Sequence, residues 1–154
     1  MLAETTNKTE DCNCFAARSA ARHITQLYDQ YLAPVGLRTT QFSILTKLKR
    51  KAPQTINSLA SSMVMDRTTL GRNVQPLQRD GLISVETSVS DRRAKVLRLT
   101  RAGEKRLQAA LIAWSQAQER FESHFGSKRS TEMRTLMRAV VQCSFAPTGR
   151  FAEH

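Results

Sequence analysis

From Asp66 to Thr100 the chain runs DRTTLGRNVQPLQRDGLISVETSVSDRRAKVLRLT, and few folds accommodate that order of signals. Asp66 is a helix N-cap, since its carboxylate can accept from the free amides of the first turn. Leu70, Val74 and Leu77 follow at helical spacing as one apolar stripe, which leaves Arg67, Thr68, Thr69, Arg72 and Asn73 as a polar, cationic front end. Gly81 supplies a left-handed stop. Ile83 and Val85 then alternate with polar residues, as do Leu97 and Leu99, so the two runs predict a hairpin whose tip, SVSDRR, carries Arg92 and Arg93. Pro76 lies inside the predicted helix, where proline costs about 3 kcal/mol, so a bend is expected there. A helix with a polar front beside a slim arginine-tipped hairpin suits duplex DNA, the helix entering the major groove and the tip reaching the minor groove or the phosphates.

The charge distribution points the same way. The 154-residue chain carries a formal net charge of +11, and residues 37–101 hold thirteen Lys or Arg against four Asp or Glu. A positive field focused on one stretch attracts a polyanion and makes binding steeply salt dependent. The charges span several predicted elements, which argues against a membrane-surface helix. No apolar run is long enough to span a bilayer, and the opening MLAETTNKTED lacks a signal-peptide core, so a cytoplasmic protein with no membrane partner is expected.

Residues 1–10 predict a flexible arm, residues 11–146 a single domain, and residues 147–154 a tail. Helical spacing of Cys14, Ala17, Ala21, Ile24, Tyr28 and Tyr31 predicts a first helix from Cys12 that Pro34 and Gly36 close. Thr39 or Thr40 is the expected cap of a second helix with Phe42, Leu45 and Leu48 inward, ended by the basic run KLKRK and Pro53. Thr55 caps a short third helix, so residues 55–79 have helix-turn-helix proportions, with Ala60 small enough for crossing helices to approach. Beyond the hairpin, Thr100 caps a long helix to about His124 with Leu107, Leu111, Trp114, Phe121 and Phe125 on its stripe. After a break at Gly126, a last helix carries Met133, Leu136, Met137 and Val140. The outer helices hold more apolar stripe than one helix-turn-helix can cover, which predicts a homodimer with recognition helices about 34–36 Å apart on one duplex face.

Catalytic signatures are missing. There is no Gly-x-Ser-x-Gly, no phosphate-cradling glycine loop and no His-Glu-x-x-His, so no catalytic residues, no cofactor and no enzyme activity are expected. Gly71 and Gly103 read as points of close packing. Three cysteines, Cys12, Cys14 and Cys143, are too few for a secreted disulfide framework, and Cys12-x-Cys14 with His23 or Cys143 matches no usual metal spacing, so no metal site is expected.

Residues 12 to about 145 resemble the MarR family of bacterial transcription regulators. SVSDRRAKVLRLTRAG, residues 88–103, is similar to that family's wing and the start of its long dimerisation helix. RTTLGRNVQPLQRDGLI is similar to its recognition helix, and LRTTQFSILTKL to its second helix. The resemblance implies a mainly α fold with a small β-hairpin wing: a winged helix-turn-helix over residues 37–100, with dimerisation helices at 12–34 and 101–145. It also implies a homodimer on a pseudo-palindromic operator, acting most often as a repressor. DNA-binding residues carry over as Arg67, Thr68, Thr69, Arg72 and Asn73 on the helix and Asp91, Arg92 and Arg93 in the wing, Arg93 reaching the minor groove, Asp91 orienting it by a charge-assisted bond, and Arg92 the neighbouring candidate. Changes at Thr69 or Asn73 are expected to alter operator preference.

Family members commonly release DNA when a small, often aromatic or phenolic, effector enters a cleft beside the dimerisation helices. The residues this suggests are Arg18, Arg22, His23, Phe42 and Trp114. CFAARSAAR, from Cys14, also resembles the first helix of the organic-hydroperoxide sensors of that family, in which Cys14 would be the reactive thiol and Tyr28 its hydrogen-bonding partner. Two further tyrosines of those sensors fall on Thr39 and Arg18, which leaves that network incomplete. The alternatives to a ligand-released repressor are therefore a thiol-based peroxide sensor and an architectural DNA-binding protein without sequence preference.

Overall fold

A computed structural model describes residues 10–145. Most of the expected arm and the tail from residue 147 lie outside the described residues. The chain divides between Gln118 and Glu119 into two compact units.

In the first unit, α1 spans Asn13–Leu32 and is followed by a 3-10 turn at Ala33–Val35. Next come α2 (Thr39–Arg50), β1 (Gln54–Thr55), α3 (Ile56–Ser62), α4 (Arg67–Arg79), β2 (Ile83–Thr87), β3 (Lys95–Leu99) and α5 (Arg101–Phe125), which continues beyond the division. The core is built by Leu32, Ile44, Leu45, Leu48, Leu59, Leu70, Leu77, Ile83 and Leu97, all shut off from solvent. Three consecutive α-helices therefore converge on a small sheet.

The hairpin pairs as its alternation predicts, with Ile83 opposite Leu99, Val85 opposite Leu97 and Thr87 opposite Lys95. A third strand was not anticipated. β1 pairs antiparallel with the other edge of β3, Gln54 opposite Leu97 and Thr55 opposite Val96, giving the order β1-β3-β2. Two residues are too short for any alternation to register. Gln54 is buried, and its amide donates to the carbonyls of Lys47 and Lys51, which ties β1 to the end of α2.

Capping explains most boundaries. Thr55 accepts from the Ser58 amide at 3.0 Å, and Thr100 from the Gly103 amide at 3.0 Å. For α2 the cap differs from expectation: Thr39 is its first residue, and Arg38 stands at the N-cap with its amide donating to Gln41 Oε1. Both the amide and the hydroxyl of Thr39 donate to Asp29 Oδ1, at 2.7 and 2.6 Å. A carboxylate from α1 thus satisfies the helix start, where negative charge is favoured.

α5 also corrects the sequence reading. Its buried face is Gly103, Leu107, Ala110, Ala113 and Ala117, while Leu111 and Ile112 are exposed. Small residues let helices approach closely, so apolar size alone found Leu107 and Trp114 but missed the alanines and placed Leu111 wrongly. Gly103 is required outright: a Cβ there would lie 2.0 Å from the Leu82 carbonyl oxygen. Gly71, by contrast, has nothing within 4 Å of its would-be Cβ, so it marks no close packing.

In the second unit, Gly126 (φ +97°) separates α5 from α6 (Ser127–Gln142). Phe121 and Phe125 pack with ring centroids 5.3 Å apart, the Arg129 guanidinium lies 4.3 Å from the Phe125 ring, and Arg134 pairs with Glu122 at 3.0 Å. On α6 only Ser130 is buried, its hydroxyl donating to the Gly126 carbonyl. Leu136, Met137, Val140 and Val141 are exposed.

Candidate nucleic-acid interface

α3 and α4 are joined by a turn at Met63–Met65 that places Val64 at φ +54°, a region β-branched residues rarely adopt. The amides of Val64 and Met65 donate to the carbonyls of Ser61 and Ala60, which holds the turn. α4 begins at the expected Asp66 cap, whose carboxylate accepts from the Thr69 amide at 2.8 Å and the Thr69 hydroxyl at 2.7 Å. Those bonds, the backbone one first, hold the Asp66 carboxyl below its ordinary pKa.

The helix runs unbroken through Pro76 to Arg79. Proline lacks an N–H, so the Arg72 carbonyl receives no bond from position 76, but the helix ends within one turn and little is lost. Leu70, Val74 and Leu77 are buried, and Thr68, Arg72, Gln75 and Arg79 occupy the opposite, exposed face at helical spacing. Gln75 and Arg79 were missed in the sequence, although their spacing from Arg72 was a usable signal.

Thr69 and Asn73 have local work. Besides its cap bonds, Thr69 offers its carbonyl to the Asn73 side-chain amide at 2.9 Å. Both make bonds within the helix, Thr69 while exposed, whereas Thr68 and Arg72 are exposed on the face opposite the buried stripe.

At the wing the Ser88 amide donates to the Ala94 carbonyl at 2.9 Å, closing a tip in which Asp91, Arg92 and Arg93 are all exposed. Asp91 contacts backbone: its Oδ1 accepts from the Arg93 amide at 2.9 Å, and its carbonyl from the Ala94 amide at 3.0 Å. The aspartate therefore shapes the turn that presents Arg93, a different contact from the side-chain pair that the resemblance implies.

The fold then brings helix and wing together. Arg67, at the start of α4, and Arg93 and Lys95, on the wing, line one hollow of about 130 Å³ with Thr55, Ile56, Asn57 and Ala94. Among the described residues no acid lines it, and Arg67, Arg93 and Lys95 form no ion pair. Lys95 and Asn57 were also missed; the packing of α3 on α4 sets Asn57 near Arg67, and the pairing of β1 with β3 brings Lys95 to them.

The residues suggested for an effector are not assembled in the same way. Phe42 is in the core, its ring stacked on half-buried Trp114 with centroids 6.1 Å apart and planes 18° from parallel. Arg18, Arg22 and His23 are exposed on α1. Tyr28 donates to Gln118 and Arg106 to the Val35 carbonyl, so α1 and α5 run antiparallel. At 1.5 Å per residue, that alignment leaves Arg18 about 20 Å along the axis from Trp114. Phe42 and Trp114 thus form part of the core within one chain, because two flat apolar rings exclude water best against each other.

The three cysteines are exposed, and Cys12, the N-cap of α1, accepts from the Phe15 amide. Cys14 and Tyr28 are fourteen residues apart on one helix, about 21 Å, so they cannot bond within one chain. Among the described residues there is no cluster of His, Cys, Asp or Glu able to hold a metal, and no helix long and apolar enough to cross a membrane.

A helix-turn-helix flanked by a three-stranded sheet with an exposed basic hairpin defines a winged helix-turn-helix protein. The sequence pattern of the MarR family matches residues 37–95. The chain is 35% identical to the M. tuberculosis transcriptional regulator MosR, solved in complex with DNA, over 84% of this chain and 96% of that one, with a TM-score of 0.73. The transcriptional repressor CouR, bound to a 23-mer DNA duplex, shares the fold at 21% identity and a TM-score of 0.79, covering 88% of this chain and 96% of that one. CouR from Rhodococcus jostii RHA1 has also been solved bound to p-coumaroyl-CoA, at 22% identity and a TM-score of 0.73, covering 90% and 97%. An uncharacterised HTH-type transcriptional regulator of Bacillus subtilis, YwoH, is 24% identical over 80% of this chain and 89% of its own length. This chain belongs to the MarR family of winged-helix, DNA-binding transcription regulators. Its relatives are regulators and not enzymes.

Proposed function

We propose that the chain is a cytoplasmic, homodimeric repressor that recognises a pseudo-palindromic operator and leaves it when a small effector binds. The observation that carries the DNA half of this reading is the convergence of Arg67, Arg93 and Lys95 on one hollow, lined by no acid among the described residues, beside the exposed face of α4. Three cations with no ion pair among the described residues suit a phosphate of the backbone, leaving Thr68 and Arg72 for base edges and Arg92 for the adjoining groove. Thr69, Asn73 and Asp91 belong to the same interface as supports, holding the helix start and the wing tip. The winged module is residues 37–100, and the flanking helices carry the dimer.

Dimerisation is supported by exposed apolar side chains in each unit: Phe15, Leu111 and Ile112 in the first, and Leu136, Met137, Val140 and Val141 in the second. Effector release is supported by the family and by the CoA thioester in CouR. Because Arg18, Arg22 and His23 do not meet Phe42 and Trp114 within one chain, an effector cleft built from them needs the second copy.

Fluorescence anisotropy with the intergenic DNA flanking the gene tests the proposal. The expected outcome at about 0.15 M salt is affinity at least about a thousandfold above that for random DNA; equal affinity would mean an architectural protein.

A second reading has its own observation, the exposed Cys14 thiol in the first turn of α1. If it is a peroxide sensor, organic hydroperoxide releases DNA from the parent and not from Cys14→Ser.

A further inference from the structure

The basic run at the end of α2 is not used by the interface just described. Lys47, Lys49 and Arg50 lie in the last turn of that helix, Lys51 stands at its C-cap, and Arg101 and Lys105 begin α5. The Lys49–Glu104 pair, at 2.7 Å, brings the two together. Register puts them away from the wing tip. Thr55 lies opposite Val96 and Gln54 opposite Leu97, so the chain from β1 back to Lys51 runs toward the level of Thr100. Arg101 is eight residues past Arg93, at most about 26 Å even at the rise of a strand, with the whole of β3 between them. Arg101 and Lys105 line an open hollow with Ala102, Glu104 and Gln108, and the Lys49–Glu104 pair ties to it the helix end that also carries Lys47, Arg50 and Lys51. Arg50, Lys51, Arg101 and Lys105 form no ion pair among the described residues.

Fold stability explains only half of this cluster. Cations in the last turn of α2 are favoured by that helix's dipole, but Arg101 and Lys105 stand at the opposite, positive end of α5, where cations are disfavoured. Their repulsion is offset when a polyanion covers the surface.

We infer that the end of α2 and the start of α5 form a second DNA-contacting surface, which grips duplex flanking the operator. The inference rests on the DNA-binding reading above. The surface lies at the opposite end of β3 from the wing tip, so duplex that grips both continues past the wing contacts and bends toward it.

Two duplexes test it: one ending at the wing contacts, and one extended by about fifteen base pairs of random sequence on each side. The parent should bind the long duplex more tightly. Its salt slope should be steeper by about 0.9 for each added phosphate, so four added contacts make the advantage fall on the order of a hundredfold between 50 and 200 mM salt. Replacing Arg50, Lys51, Arg101 and Lys105 together by Gln should abolish the difference and leave short-duplex affinity unchanged. If that variant melts early, Arg101→Gln with Lys105→Gln suffices; by the dipole argument it should melt no lower than the parent while losing much of the length dependence. Equal affinity of the parent for both duplexes overturns the inference, as does a length advantage that survives in the variants. Binding of polyglutamate without any length advantage assigns the surface to an acidic protein and likewise overturns it. A parent that fails to bind even the short duplex sinks the DNA-binding reading itself, a separate result.

Discussion

The winged module and the outer helices treat their apolar residues in opposite ways. Between Leu37 and Leu97 the stripes of α2, α3, α4 and the sheet close on one another, and Leu45, Leu59, Leu70 and Leu97 have no exposed surface. Along α1 only Leu32 is buried, and on α6 only Ser130, although both helices are amphipathic. Leu136 and Val140 are 66% and 55% exposed. An apolar stripe left open over several turns is costly in water, so the contrast separates a region that folds on itself from regions whose packing awaits a second copy.

The largest effect that could break this contrast is in the core. Leu59→Ala should cost about 2–5 kcal/mol in urea unfolding, and a loss below 1 kcal/mol would mean the winged module is less tightly packed than described. Next comes the outer face: Leu136→Glu with Val140→Glu should preserve the circular dichroism spectrum yet yield monomers in sedimentation equilibrium. A variant that still dimerises would remove α6 from the interface.

Within the module, Arg72→Ala should cost about 1–3 kcal/mol of operator affinity and relax preference at one base position. Arg93→Ala should weaken all sequences alike and flatten the salt slope by about 0.9. If the two variants behave identically, base and phosphate contacts have been assigned to the wrong elements.

The smallest effect concerns the Asp66 cap. Its carboxyl is held below the ordinary carboxylate pKa, so it stabilises the fold above that range, and the contribution is lost as pH falls through the depressed value. Asp66→Asn keeps the acceptor and removes the charge. It should lower the melting temperature at neutral pH, and the gap should close as the solution is acidified below the carboxylate range. A gap independent of pH would show that charge has no part in the cap.

How much of this was legible in the chain depended on range. Asp66, Thr55, Thr100 and Gly81 act within three or four residues of themselves, and each stands where its chemistry predicts. The hairpin followed from alternation for the same reason. Thr39 failed because its partner, Asp29, comes from another helix. The α5 stripe held at Leu107 and Trp114 and failed at Leu111, because alanines at close approach bury as fully as leucines, and nothing local distinguishes Ala110 from an exposed alanine.

Local chemistry in the sequence therefore determined the elements, their ends and the location of the positive charge, since caps, turns and periodicity act between near neighbours along the chain. Tertiary structure alone decided which cations meet. β1 lies beside β3 only after the core closes, and that pairing brings Arg67, Arg93 and Lys95 around one hollow and carries the end of α2 to the start of α5. Coulomb interactions depend on distance in space, and separation along the chain does not set that distance until the core has formed.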